Sequence, residues 1–111
     1  SIFIEPNIGD IKIAKFIQAD CIEIHTGRIC NLYNKNKNIK NELKKIKNAV
    51  NYGNHIGLEV HVGHGITFLS AKILSKIKGI KEFNIGHFLI GESIFTGMNH
   101  SIKKFKKILN K

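Results

Sequence analysis

Two stretches hold the residues best suited to chemistry. In Leu58-Glu59-Val60-His61-Val62-Gly63-His64-Gly65-Ile66-Thr67 an apolar–polar alternation runs into a histidine flanked by glycines. In Asn84-Ile85-Gly86-His87 a second glycine–histidine pair closes another apolar segment. Imidazole exchanges protons near neutral pH, so a histidine held in a strand-end turn can act as a general acid or base. The glycines leave backbone N–H groups bare. Where a helix follows, those groups and the helix dipole favour an anion such as phosphate. The strand-like segments also carry Glu5, Glu23, His25, Glu59, His61 and Asn84 at alternating positions.

These groups need a scaffold, and the hydrophobic periodicity supplies one. Ser1 to Glu5 alternates as a strand that Pro6-Asn7 ends, because proline cannot donate to a ladder. Ile8 to Gln18 is predicted helical, with Ile13, Phe16 and Ile17 spaced for one buried side and Lys12 and Lys15 left for solvent. Cys21 to His25 is a second strand running into Thr26-Gly27, followed by an Asn- and Lys-rich loop over Asn31 to Asn38. Ile39 to about His55 is an amphipathic helix with a stripe of Ile39, Leu43, Ile46, Ala49 and Val50, its lysines facing solvent. Leu58 to Val62 is the third strand, and Thr67 to Ile77 a helix that can bury Phe68, Ala71, Ile73, Leu74 and Ile77. Lys81 to Ile85 is the fourth strand. Phe88 to Phe95 is a short helix, broken near Gly97, and a lysine-rich helix runs on to Lys111.

The order β-α-β-α-β-α-β-α implies parallel strands joined by crossovers with helices outside. A doubly wound sheet, covered on both faces, would have almost continuously apolar central strands. These strands are apolar on one side only: Ile2/Ile4, Ile22/Ile24, Leu58/Val60/Val62 and Phe83/Ile85. Their other side gathers carboxylates, imidazoles and an amide. Buried ionisable groups cost several kcal/mol unless paired, so the pattern points to a barrel with a polar lumen. Barrels commonly bind phosphate with their last two strand-end loops and a short extra helix, a role that Phe88 to Phe95 fits. The expected architecture is therefore four consecutive βα units, the carboxyl-terminal half of a (β/α)8 TIM-type barrel. Residues 1–111 would form that half of one domain, with the amino-terminal half absent from the chain.

Composition narrows the function classes. The 111 residues are 42% hydrophobic and 23% charged, as in a globular domain, with no bilayer-length apolar run and no secretory signal. Two cysteines, Cys21 and Cys30, do not make a disulfide scaffold; Cys21, within a strand, reads as a reduced buried thiol of a cytoplasmic protein. Net charge is +10, but every basic residue except Arg28 is lysine. Nucleic-acid recognition favours arginine's bidentate fork, and no nucleic-acid partner is expected.

At these residues the sequence resembles the pyridoxine 5′-phosphate synthase family. The resemblance rests on Phe3-Ile4-Glu5-Pro6, Ile22-Glu23-Ile24-His25-Thr26-Gly27, Gly63-His64-Gly65-Ile66-Thr67 and Asn84-Ile85-Gly86-His87, continued by Ile90-Gly91 and Thr96-Gly97. It spans nearly the whole chain, with the motifs in order. It implies a transferase-type, ring-closing synthase of vitamin B6 biosynthesis. That enzyme joins 1-deoxy-D-xylulose 5-phosphate to 3-amino-1-hydroxyacetone 1-phosphate with release of phosphate and water. By resemblance His64 is the proton donor and Glu23 stabilises charge. Gly65, Gly86 and His87 hold the aminoketone phosphate. No cofactor or metal is implied, the partners are phosphorylated small molecules, and the protein is expected to be a cytoplasmic homo-oligomer. Further catalytic residues of the family lie on the first strands, so the fragment alone is expected to be inactive. His61 and Arg28-Ile29-Cys30 depart from the family pattern.

Two other readings compete. His25, His61, His64, His87 and Glu23 could converge on zinc, which needs three or four donors at bonding distance. The chain could also be a non-catalytic α/β module that binds phosphate esters or nucleic acid. His55 and His100 read as plain solvent-facing residues, and Asn84 either orients a catalytic side chain or makes a structural hydrogen bond.

Overall fold

The computed structural model describes residues 1–110. Four short strands, β1 (Ile2–Ile4), β2 (Cys21–His25), β3 (Glu59–Gly63) and β4 (Ile80–Asn84), form one sheet. All neighbours are parallel and lie in chain order β1-β2-β3-β4. A doubly wound sheet would reverse its strand order at a switch point. This one advances steadily, as half of a TIM-type (β/α)8 barrel does. Helices α1 (Ile8–Phe16), α2 (Gly27–Asn34), α3 (Lys40–His55) and α4 (Phe68–Leu74) make the crossovers, and α5 (His87–Thr96) and α6 (Met98–Leu109) follow β4.

The core lies on one face of the sheet. Ile22, Ile24, Val60 and Val62 are wholly buried there against Ile11 and Ala14 of α1, Ile46, Ala49 and Val50 of α3, Ala71 and Leu74 of α4 and Phe105 of α6. Period-2 alternation sends Phe3, Glu23, His25, Glu59, His61 and Asn84 to the opposite face, away from the helix-packed core. Register aligns them into rows: Phe3 beside Glu23, Glu23 beside His61, His61 beside Glu82, and His25 beside Gly63. A shift between Val60 and His61 brings Asn84 into line with Gly63. The one-sided polarity expected from the sequence is present.

Four expectations need correction. Residues 27–34 form a helix, where a loop was expected to follow Thr26-Gly27. Its two turns are anchored by buried Ile29 and Cys30, and Glu42 of α3, itself buried, pairs with Arg28 (3.4 Å) and Lys45 (3.3 Å). Second, α1 turns Ile11 and Ala14 inward and leaves Ile13, Phe16 and Ile17 exposed. Apolar residues surround this helix, so spacing alone could not select its face. Asn7 caps the helix, accepting the Asp10 N–H at 2.7 Å, and packing against the sheet and α3 selects the face that carries Ile11 and Ala14. Third, Cys21 is only half-buried, because it points to the uncovered face; Cys30 is the buried thiol. Fourth, α4 begins at Phe68 and stops at Leu74, shorter than predicted. The remaining boundaries move by a residue or two, and the expected end of the last helix at Lys111 lies outside the described residues. Among the described residues no helix is long and apolar enough to cross a membrane.

Ile24→Ala, in the middle of the buried row, is expected to cost about 2–5 kcal/mol of stability. Phe16→Ala, at a side chain 87% exposed, should stay within about 0.5 kcal/mol of the parent. Paired denaturant titrations check both.

Candidate active site

The carboxyl ends of β2, β3 and β4 build the site from three local devices. The first places a carboxylate. Glu23 rises from β2 and leans over Gly63 of β3, filling the space a side chain there would need: a Cβ on Gly63 would collide with Glu23 Oε2. Asn84 Nδ2 donates to Glu23 Oε1 at 2.6 Å, so the carboxylate is fixed in position from β4 while its second oxygen is left for other partners.

The second device bends the chain at His64. Its φ is +86°, a left-handed conformation that costs a non-glycine residue of order 1–3 kcal/mol. Fully buried Thr26 holds it there. Thr26 donates its backbone N–H to the Gly63 carbonyl at 2.9 Å, and its hydroxyl lies 2.8 Å from that oxygen and 2.9 Å from the His64 carbonyl. This commitment explains why Thr26 opens α2 without a side-chain cap.

The third device orients the imidazole. The His64 ring stacks on His25 at 4.6 Å between centroids, and Phe3 meets His25 edge-on at 5.0 Å. The Gly27 N–H donates to His25 Nδ1 at 3.1 Å, which leaves the His25 proton on Nε2. Gly27 must be glycine, since a Cβ would strike both imidazole rings.

Glu23, His64, Gly65, Gly86 and His87 all line one cleft of about 490 Å³, closed by Phe3, Ile66, Asn84, Ile85 and Phe88. The five residues to which the resemblance gave roles therefore meet at one place, while His25, Glu59 and His61 do not line it. The two glycine turns differ, however. The first turn of α4 is satisfied internally by a Thr67–Ser70 capping box. Helix α5 begins directly at His87 with no side-chain cap, so its first N–H groups stand at the cleft margin. Phe88 packs on Phe68 (4.9 Å) and Phe105 (5.9 Å), which seats that helix end. Gly97, at φ +87°, breaks α5 from α6 as expected.

His61 does not join the zinc constellation weighed above. Its Nε2 lies 2.8 Å from Glu59, toward the amino ends of the strands. Burial raises the pKa of the Cys30 thiol, and hydrogen bonds with Ser70 and Thr26 offset only part of that shift, so Cys30 stays protonated near neutral pH. His55 and His100 are exposed. Sequence reasoning missed the clamp made by Thr26 and left the role of Asn84 open. Only the pairing register brings those two residues onto the Gly63–His64 turn and Glu23.

An unbroken run of parallel βα units with a cleft at the carboxyl ends of its strands belongs to the (β/α)8-barrel class, of which four units stand here. Comparison with known proteins supplies the family: residues 1–111 match the family described as pyridoxal phosphate biosynthesis protein PdxJ, and the chain belongs to it. Its relatives include the pyridoxine 5′-phosphate synthase of Pelagibacter ubique, 55% identical over 111 residues, which cover all of this chain and 46% of that protein. The synthase of Sulfurihydrogenibium sp. is 42% identical over 98% of this chain and 44% of its own length. That of Ehrlichia canis is 39% identical over the same shares. The chain thus spans about half the length of the relatives it matches.

Thr26→Val keeps the side-chain volume but removes the hydroxyl, and is expected to cost about 1–3 kcal/mol. The double variant Thr26→Val/His64→Gly should recover part of that loss, because glycine accepts the left-handed turn unaided. Thermal melts of the three proteins check this. Asn84→Ala should free the Glu23 carboxylate, seen as a second side-chain position in a crystal structure and a stability loss of about 1 kcal/mol.

Proposed function

We propose that this chain is the carboxyl-terminal half of a single-domain (β/α)8 pyridoxine 5′-phosphate synthase. The enzyme condenses 1-deoxy-D-xylulose 5-phosphate with 3-amino-1-hydroxyacetone 1-phosphate and releases phosphate and water. The observation that carries the reading is the meeting of His64, Glu23, Gly65, Gly86 and His87 around one cleft. Family membership and the names of the relatives support it.

In this reading one phosphate group sits against Gly65, Gly86 and His87, taking N–H donors from the uncapped start of α5, where the helix dipole favours an anion. His64, set by its turn and its stack on His25, donates a proton to the oxygen that departs. Amine–ketone condensation passes through cationic nitrogen species. The Glu23 carboxylate, held in place by Asn84, stabilises that charge without having to reorganise. These steps are acid–base chemistry and call for no bound cofactor. The remaining catalytic groups come from the first four βα units of the barrel, and the complete enzyme works in the cytoplasm as a homo-oligomer.

In the complete barrel, His64→Asn should lower turnover by about 10²–10⁴-fold while leaving phosphate-ester affinity nearly unchanged, since asparagine tolerates the left-handed turn. Steady-state kinetics alongside calorimetric binding of the aminoketone phosphate, or a stable analogue, checks this. Unchanged turnover removes His64 from the mechanism. Salt-sensitive nucleic-acid binding with no turnover would favour the non-catalytic module.

A further inference from the structure

The uncovered face of the sheet holds a second cluster of chemistry-bearing side chains, one step toward the amino ends of the strands. Cys21 opens β2 and Glu59 opens β3, and the two are direct partners across the ladder. His61 follows Glu59 by two residues, so it projects from the same face. The Cys21 Sγ, a Glu59 carboxylate oxygen and a His61 ring nitrogen all lie within 4.8 Å of one another. None of the three lines the cleft around His64. Glu82 of β4, in register with His61, brings a second carboxylate to 3.9 Å from His61 Nε2.

We propose that Cys21, Glu59 and His61 form a binding site for a borderline-soft divalent cation of the zinc type, with Glu82 or water as the fourth donor. Thiolate, imidazole and carboxylate together are the donor set that tetrahedral zinc takes, whereas calcium and magnesium prefer oxygen alone. Zinc bond lengths put donor atoms roughly 3.3–3.8 Å apart, so the cluster needs only side-chain adjustments of under about 1 Å. His61 is 7% exposed and lies between two carboxylates, so its position is set by packing before any ion arrives. The ion takes the place of the proton shared by His61 Nε2 and Glu59, and the Cys21 thiol gives its proton to solvent. Bound there, the cation ties β2 to β3, and through Glu82 to β4, beside Glu23, which pairs in register with His61. The competing arrangement is a plain His61–Glu59 ion pair beside an uninvolved thiol.

The test titrates the metal-stripped protein with Co²⁺ as a spectroscopic probe and with Zn²⁺ alone. One ion per chain is expected, with tetrahedral cobalt absorption and a thiolate-to-cobalt charge-transfer band. That band should vanish in Cys21→Ser and persist in Cys30→Ser. His61→Leu should weaken Zn²⁺ affinity by more than the roughly 10–100-fold that loss of an outer hydrogen-bond partner brings. A readout on the unmodified protein covers the case of a variant that does not fold. At a Zn²⁺ concentration roughly ten times the dissociation constant, mass action should slow iodoacetamide labelling of Cys21 by about tenfold. Peptide mass mapping locates the label. Absence of binding, a thiolate band that survives Cys21→Ser, or unaltered Cys21 labelling in zinc would overturn the proposal.

Discussion

The carboxyl ends of β2 and β3 are held together by Thr26, and the site depends on that contact. Its N–H and hydroxyl together satisfy the carbonyls of Gly63 and His64, the two residues where β3 leaves the sheet. A left-handed histidine persists only where its surroundings over-determine it. Here the surroundings are a buried hydroxyl just past the end of β2 and the stacked imidazole of His25, which pairs in register with Gly63, the residue before His64. Remove the clamp, and His64 loses both its turn and its orientation in the cleft.

A one-sided core makes this possible. Hydrophobic burial is confined to the face that carries Ile22, Ile24, Val60 and Val62, and those residues fix strand spacing and register. Polar groups on the other face then fall into rows without needing to stabilise the fold themselves. A carboxylate on that face would be costly if buried alone. Glu23 avoids this through the Asn84 amide, and its carboxylate fills the space left by the missing side chain of Gly63. Glycine at position 63 therefore serves close approach, a role distinct from the positive φ it provides at Gly65.

The cleft divides its work between rigid and open parts. Glu23 stands within β2 and His64 just past the end of β3, both held by neighbouring strands. The anion-facing part lies at the start of α5, which is seated by the Phe68–Phe88–Phe105 cluster and not capped by a side chain. By contrast α4 satisfies its own first turn through Thr67 and Ser70. Two glycine–histidine motifs that look alike as sequence thus end in different electrostatic settings.

Period-2 alternation, the βα order and the glycine–histidine turns are local properties, so the sequence by itself determined the fold class, the polar face and the two strand-end turns, while the family resemblance singled out the five residues that meet in the cleft. It could not assign the buried side of α1, because apolar residues surround that helix and only docking against the sheet and α3 selects Ile11 and Ala14. Nor could it reveal α2, whose two turns are stabilised by burial of Ile29 and Cys30 more than by intrinsic propensity. Tertiary structure alone decided that Asn84 reaches Glu23, that Thr26 clamps the His64 turn and that Cys21 meets Glu59 and His61. Each of those contacts joins residues dozens of positions apart, and strand register, which no local pattern encodes, is what brings them together.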